Sequence, residues 1–240
     1  MRLDKLLSHS GYGSRKEVKA LLKKKAVRVN GENAKSGSMI VDEKHDIVSV
    51  HGHPVQYQAD YYWLLHKPTG VISATEDREQ RTVMDLFKKE DYRNDLFPVG
   101  RLDKDTTGLL LITNDGDLAH QLLSPKKHVD KEYEAIVEGH VTENEVELFK
   151  EGLTIDGGET TRPAVLTPLS YDEIKNQSTI RLVIQEGKFH QVKRMFQAVG
   201  MKVKTLHRCR MGSLNLGDLP YGTYRALNED EIQQLKESGK

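Results

Sequence analysis

Residues 100–112 read Gly100-Arg101-Leu102-Asp103-Lys104-Asp105-Thr106-Thr107-Gly108-Leu109-Leu110-Leu111-Ile112. The apolar end of this stretch is stopped by a turn sequence at residues 114–116, which predicts a buried strand over residues 109–113. The polar residues before it form the densest group of chemically useful side chains in the chain. They include two carboxylates, Asp103 and Asp105. We therefore expect a carboxylate-bearing turn at the start of a buried strand.

Two classes of metal-dependent protein carry acidic loops of this kind. An EF-hand would place Asp103 and Asp105 at positions 1 and 3, but position 12 is Asn114 where a bidentate Glu is needed. A phosphatase with an aspartyl nucleophile needs its aspartates after an apolar strand, together with a magnesium cluster downstream. The missing Glu excludes an EF-hand, and the position of the aspartates before the strand argues against a phosphatase. An Asp that only fixes the turn stays compatible with this stretch taken alone.

The surrounding sequence mixes strands with short helices. Strands are predicted over residues 61–65, 109–113, 131–138 and 179–185, and helices over 118–123, 190–199 and from 228 onwards. Because helices do not alternate regularly with strands, residues 61–240 are predicted to form an α+β fold with a mixed, mainly antiparallel sheet.

The first 50 residues have a different pattern. Leu3, Leu6 and Leu7 have helical spacing, and Ser14 with Glu17 fits a capping box that opens a second helix. The outer side of this second helix carries four cations: Arg15, Lys16, Lys19 and Lys23. Residues 27–31 predict a strand ending in an Asn-Gly hairpin turn, with further short strands at 39–41 and 47–50. This region is a small module of two helices and short strands.

Charge is segregated along the chain, although 36 Lys and Arg balance 36 Asp and Glu among 240 residues. Residues 1–30 hold nine Lys or Arg and two Asp or Glu, and residues 187–217 hold seven and none. Such segregation favours a polyanionic partner, and we expect a nucleic acid. The lone Cys209 excludes internal disulfides and cysteine zinc sites. No apolar run approaches the length of a membrane span, so we expect a cytoplasmic protein with no membrane partner.

Residues 1–50 resemble an S4 RNA-binding domain, through Arg2-Leu3-Asp4-Lys5-Leu6-Leu7, Ser14-Arg15 and Val29-Asn30-Gly31. The resemblance implies that the face formed by its helices binds structured RNA, with Arg2 and the four cations of the second helix as contacts. The polar residues 51–60 are predicted to be a linker, with a compact extra subdomain as the alternative.

Residues 61–240 resemble the catalytic domain of pseudouridine synthases, in the branch that modifies small-subunit ribosomal RNA. Four ordered motifs carry the resemblance: His66-Lys67-Pro68-Thr69-Gly70, residues 100–109 as quoted above, Lys131-Glu132-Tyr133, and Glu186-Gly187-Lys188-Phe189-His190-Gln191-Val192-Lys193-Arg194-Met195. We call residues 103–108 the acidic loop. This loop, Ser124-Pro125 and the short C-terminus resemble the small-subunit branch more than its large-subunit relatives.

This resemblance implies a reaction in which the N1–C1′ bond of a uridine breaks, the base turns while bound, and C5 joins C1′. The family's carboxylate maps to Asp103, which acts either as nucleophile at C1′ or as base at C2′. The family's tyrosine maps to Tyr133, which packs against the uracil and can assist proton transfer at C5. Lys193 falls where the wider superfamily carries Arg and is expected to keep Asp103 ionised. On spacing alone, Lys193 could also be solvated on its helix, and Tyr133 a core residue.

Four further residues complete the expected site. Arg101 is expected to fill the gap left when the uridine leaves its stack. His190 and Gln191 are expected to support its loop by hydrogen bonding, and Lys67 to be a phosphate contact or an ordinary turn residue. The reaction changes no oxidation state, so no cofactor or metal is expected.

The expected substrate is 16S ribosomal RNA or a small-subunit assembly intermediate, and the expected enzyme is a monomer. Two alternatives stay open. One is a pseudouridine synthase acting on large-subunit ribosomal RNA, and the other is a non-catalytic RNA-binding factor of ribosome assembly. Intact Asp103, Tyr133 and Lys193 argue against the second.

Overall fold

The chain divides into two compact units, Met1–Asp60 and Tyr61–Lys240. The structure is a computed structural model, and it describes residues 1–43, 45–55, 57 and 60–238. The second unit begins at Tyr61, where the sequence predicts the start of the catalytic domain.

The described residues of the first unit form two helices and four short strands, in agreement with the predicted module of two helices and short strands. They are α1 (Leu3–His9), α2 (Arg15–Lys23), β1 (Val27–Val29), β2 (Glu32–Asn33), β3 (Val48–Val50) and β4 (His53–Pro54), with sheet order β2-β1-β3-β4. The capping box of α2 is present, with Ser14 and Glu17 bonded to each other's backbone N–H. Asn30 and Gly31 both have positive φ, 52° and 86°, as a type I′ hairpin between β1 and β2 demands.

Two details of this unit differ from the prediction. Residues 39–41 form no strand; Ile40 makes an isolated bridge to Arg2, because the chain pairs there with the residue that caps α1. The linker predicted over residues 51–60 begins too early, since β4 pairs with β3 and completes the sheet. Positions 56, 58 and 59 of that linker lie outside the described residues.

The second unit is built on a mixed sheet. Its strands are β5 (Tyr62–Lys67), β6 (Phe97–Pro98), β7 (Thr107–Thr113), β8 (Lys131–Glu138), β9 (Val165–Asp172), β10 (Gln177–Ile184), β11 (Lys202–Met211), β12 (Leu214–Asn215) and β13 (Tyr224–Ala226). The main order is β13-β5-β7-β11-β8-β10-β9, with β6 beside β7 and β12 beside β11. The pairing of β7 with β11 is parallel, and all other pairings are antiparallel. This confirms the predicted α+β fold.

Helices cover both faces of this sheet. They are α3 (Gly116–Leu123), α4 (Glu143–Glu151), α5 (Gln191–Ala198) and α6 (Glu229–Ser238). On β7, Leu110 and Ile112 join the core on the side of α4 and α5, whereas Leu109 and Leu111 join the core on the side of α3 and α6. Burial on both faces explains why this strand is a continuous apolar run.

The parallel pairing of β7 with β11 requires a glycine at position 108. Gly108 has φ +109°, and a Cβ placed on it would lie 2.2 Å from the backbone oxygen of Arg208. No larger residue fits there, so Gly108 brings the loop before β7 directly against β11.

Candidate active site

A buried lysine, Lys67, holds the backbone of the loop of residues 100–106. Lys67 has no exposed surface, and its Nζ donates to the backbone oxygens of Asp103 at 2.9 Å, Thr106 at 2.8 Å and Pro68 at 3.0 Å. Burial lowers the pKa of Lys67 to about 8, against the opposing effect of nearby carboxylates. The prediction of a phosphate contact or an ordinary turn residue is wrong, because this ammonium is inside the protein and anchors the loop backbone.

Ser73 and Gly70 provide further anchors for the same loop. The Ser73 hydroxyl donates to the backbone oxygen of Leu102 at 2.8 Å and accepts from its N–H at 3.0 Å. The N–H of Gly70 donates to the backbone oxygen of Lys104 at 2.9 Å. The motif at residues 66–70 therefore fixes where the carboxylate of Asp103 lies.

We expect Lys67→Met to destabilise the second unit and to lower turnover together. Removing Nζ leaves buried carbonyl oxygens without a donor, and each such loss costs about 1 to 3 kcal/mol. Thermal unfolding and initial rates measure the two effects. The matched control is Lys104→Met, because Lys104 lies exposed on the same loop and, among the described residues, its Nζ donates only to Gln80. A Lys67→Met protein that melts like the control would contradict the anchoring role.

Lys193 connects both carboxylates of the loop. Its Nζ lies 3.0 Å from Asp103 Oδ2 and 2.8 Å from Asp105 Oδ1. Burial lowers the pKa of Lys193, but the hydrogen bonds to Asp105 and Asp103 outweigh this effect and raise it overall. The hydrogen bond from Lys193 in turn lowers the pKa of Asp105. Lys193 is therefore not a solvated helix residue, and α5 places a cation on the acidic loop.

A cavity of about 880 Å³ opens beside this ion pair. Asp103, Lys193 and Tyr133 all line it, although they come from three distant segments, whereas Asp105 does not. Tyr133 is 7% exposed and packs in the core, and no hydrogen bond from another described residue reaches its hydroxyl. The structure thus brings together the three residues predicted to be catalytic. Of the two aspartates, only Asp103 lines the cavity.

The other predicted site residues differ in their contacts. Arg101 is exposed and lines the cavity, without an ion pair to any residue in the described ranges. His190 has a left-handed backbone, stacks on Phe189, and places Nε2 3.4 Å from Asp103 Oδ1. Gln191 is buried and donates to Glu186 Oε1 at 2.7 Å. The expectation that both support the acidic loop by hydrogen bonding stays a prediction for His190, which lies beside Asp103, whereas Gln191 holds the turn at residues 186–188.

The acid-free stretch 187–217 is not an open basic surface. Arg194 pairs with Asp156 and with Glu159, and Arg208 is 2% exposed. Four more of its cations pair with acids from other segments: Lys188 with Glu159, Lys193 as above, Lys204 with Glu138 and Arg210 with Glu132. Folding therefore neutralises most of the charge that the sequence displays in this stretch.

The cations of the first unit have a different environment. We call Arg15, Lys16, Lys19 and Lys23 the basic row. All four are exposed, and none has a carboxylate within salt-bridge distance in the part of the chain that the structure describes. Arg2 differs, because its guanidinium donates twice to Asp4, at 3.1 and 2.7 Å. The basic row keeps its charge available for a polyanion.

Four residues around the cavity were missed by sequence reasoning. Three of them line the cavity: Lys131, Glu186 and Arg208. The fourth, Asp105, contacts Lys193. The alternation of Lys131 with Tyr133 along one strand was an available signal, since it places both side chains on one face. The contacts of Asp105 with Lys193 join positions 88 residues apart and leave no local pattern.

Within the described residues, no group of three or more His, Cys, Asp or Glu side chains is arranged to hold a metal ion. None of the described helices is both long and apolar enough to cross a membrane. Cys209 is half-buried, and burial raises the pKa of its thiol to about 11, which disfavours the reactive thiolate.

Known proteins match this chain over nearly its whole length. Models of the RNA pseudouridylate synthase family and of the S4 domain match residues 61–198 and 1–48. An uncharacterized RNA pseudouridine synthase of Bacillus subtilis is 49% identical, with 99% of each chain covered. A crystal structure of a pseudouridylate synthase has a TM-score of 0.67 and 35% identity, covering 98% of this chain and 99% of its own.

Two further relatives carry the names of ribosomal enzymes. Ribosomal large subunit pseudouridine synthase B of Bacillus subtilis is 40% identical over 98% of this chain and 95% of its own. Ribosomal small subunit pseudouridine synthase A of Pasteurella multocida is 39% identical over 97% of this chain and 98% of its own. The chain belongs to the RNA pseudouridylate synthase family and carries an S4 domain. It is an enzyme that converts uridine in RNA to pseudouridine, which confirms the predicted family and enzyme class.

Proposed function

We propose that this enzyme acts on small-subunit ribosomal RNA, using Asp103 as the carboxylate that reacts at the ribose. The observation that carries the choice of Asp103 is its place in the cavity wall between Lys193 and His190, while Asp105 lies outside the lining. An ammonium at 3.0 Å favours the ionised carboxylate that either nucleophilic or basic chemistry requires.

The neighbouring side chains take the remaining roles. The ring of Tyr133 forms a wall against which a flipped uracil packs, and its unengaged hydroxyl is available for proton transfer at C5. The exposed guanidinium of Arg101 is free to occupy the space that the extruded nucleotide leaves. His190, with Nε2 3.4 Å from Asp103 Oδ1, lies close enough to orient this carboxylate.

The choice of the small subunit is supported by the acidic loop at residues 103–108 and by Ser124-Pro125, which resemble that branch. Relatives named for small and large subunits are nearly equally identical, at 39% and 40%. The deciding experiment maps pseudouridines in ribosomal RNA from cells that lack the gene. We expect one site in small-subunit RNA to revert to uridine and to be restored by the wild-type gene. Loss of a site in large-subunit RNA instead would assign the enzyme to the other branch.

The basic row is proposed to supply affinity for RNA. We expect replacement of all four of its cations by Gln to flatten the salt dependence of RNA binding. Each phosphate contact contributes about 0.7 to 0.9 to the slope of log K against log salt, so the slope should fall by about 3. Binding measured between low and physiological salt gives the slope directly.

A matched control is Lys150→Gln with Lys175→Gln. Both cations are well exposed, at 69%, but each already pairs with an acid on its own segment. Their replacement should leave the salt slope unchanged. An unchanged slope in the variant of the basic row would show that this row is only a solvated helix face.

A further inference from the structure

Two buried cations lie at the inner wall of the cavity, beside Tyr133. Lys131 and Tyr133 alternate along β8, so their side chains share one face of the sheet. Arg208 is paired with Tyr133 across the ladder between β8 and β11, which places it on the same face. Lys131 is 6% exposed, Arg208 is 2% exposed, and both line the cavity.

Neither cation has a carboxylate within salt-bridge distance among the residues that the structure describes. The contact of Lys131 Nζ is a long one, 3.4 Å to the backbone oxygen of Val129. Arg208 donates from Nε to the backbone oxygen of Leu109 at 2.8 Å, and its Nη2 is buried without a partner. The nearby Glu186 is already occupied, since its Oε1 accepts from Arg162 and Gln191.

This arrangement costs stability. Burial and the charge of Arg208 lower the pKa of Lys131 to about 8, against the opposing effects of Asp130 and Glu186. Buried charges in proteins are normally paired, because an unpaired charge loses its hydration without compensation. Unpaired charges that are retained in a cavity are typical of functional sites, where a ligand supplies the missing partner.

We propose that Lys131 and Arg208 stabilise the negative charge of the uracil after it leaves the ribose. This inference rests on the proposed role of Asp103. When the N1–C1′ bond breaks, its electron pair leaves with the base, and the charge spreads over N1, O2 and O4. C1′ loses this electron pair and regains one in either of two ways. Asp103 forms a new bond to C1′, or Asp103 takes the 2′ proton and a C1′–C2′ double bond forms.

The charge on the base disappears again in the second half of the reaction. C5 of the turned uracil forms the bond to C1′ and Asp103 is released in its original state. C5 then loses its proton and N1 gains one. The two cations therefore act on a species that exists only between the two bond changes, and they hold the base while it turns. Donors placed in advance where charge develops are the most effective kind of electrostatic catalysis.

A uracil anion fits this wall better than a phosphate. The charge of the base is spread over a flat ring, which can enter beside Tyr133 and the apolar Ile184, both of them lining residues. A phosphodiester would have to give up its hydration and carry two ribose substituents to reach cations that are over 90% buried. The exposed Arg101 in the same cavity is a more accessible partner for phosphate.

The test compares two target bases in Lys131→Met under single-turnover conditions at saturating RNA. With uridine we expect a rate about 100-fold below wild type, as for the loss of one preorganised donor. With 5-fluorouridine, whose fluorine stabilises the detached base, cleavage of the N1–C1′ bond should fall clearly less. Arg208→Lys should likewise lose more rate with uridine than with 5-fluorouridine, because the geometry of its donors changes. Lys131→Arg should be faster than Lys131→Met because it keeps the charge.

The melting temperature, the pattern of losses and the wild-type activity separate the alternatives. The melting temperature of Lys131→Met at pH 7 should not fall, because an unpaired buried charge is removed. Equal losses with both bases, or a loss confined to RNA affinity, would overturn the proposal and would favour a structural or phosphate-binding role. Lys150→Met, exposed on α4, serves as the control and should match wild type with both bases. A wild-type protein that converts neither base would overturn the proposed function itself.

Discussion

Asp103→Asn is expected to abolish turnover while RNA binding persists. The amide keeps the shape of the side chain and can still accept a hydrogen bond from Lys193, but it can neither attack C1′ nor take a proton. Loss of a reacting group of this kind lowers turnover by at least about 10⁴-fold. Single-turnover rates, measured on protein free of host enzyme, give the chemical effect, and equilibrium binding to the same RNA gives the affinity.

The loop itself offers a matched control in Asp105→Asn. Both aspartates contact the same ammonium, yet only Asp103 lines the cavity. Because Asp105 is 73% exposed, its replacement should reduce the rate modestly by removing one partner of Lys193. If Asp105→Asn were the inactive variant and Asp103→Asn retained turnover, the two residues would have to exchange roles.

Lys193→Met is expected to produce the second largest loss, of about 100-fold or more in turnover. Its ammonium contacts two carboxylates that lie on one short loop, and without it both negative charges lose this partner. The stem of Met keeps the packing of α5, whose Val192, Met195 and Phe196 are buried. Single-turnover rates and thermal melts separate the loss of chemistry from a loss of stability.

Lys193→Arg provides the conservative comparison. It keeps the charge but changes its geometry, so we expect part of the activity to survive. A Lys193→Met protein with the rate and stability of wild type would remove Lys193 from the active site. Exposed charge changes usually alter stability by no more than about 0.5 kcal/mol, so such a result would also be what a solvated position gives.

Local patterns predicted the fold class and several of its elements, but not the strands β9 and β11 or the helix α4. The apolar run of β7, the alternation of β8 and the capping box of α2 each follow from short-range chemistry, and the structure contains all three. The error at residues 51–60 has a physical reason. A two-residue strand such as β4 forms because β3 offers it an edge, and a polar sequence containing Pro54 gives no sign of that edge.

The site was predicted less completely, because the type of a residue does not reveal whether its side chain is buried. Lys67 was indistinguishable from a surface lysine in the sequence, and only its alternation with Tyr133 could have marked Lys131, yet Lys67 holds the acidic loop and Lys131 lines the cavity. The acid-free stretch 187–217 showed the converse error. Its cations meet acids from residues 103–159, and only the folded sheet brings those segments together.

The most direct measurement is release of tritium from RNA that carries 5-tritiated uridine, because the label leaves C5 only when C5 bonds to C1′. With small-subunit ribosomal RNA, we expect the wild type to release one equivalent of label per target site, Asp105→Asn to release it more slowly, and Asp103→Asn to release none. Binding of this RNA without release by the wild type, or release by Asp103→Asn at the rate of the wild type, would contradict the account.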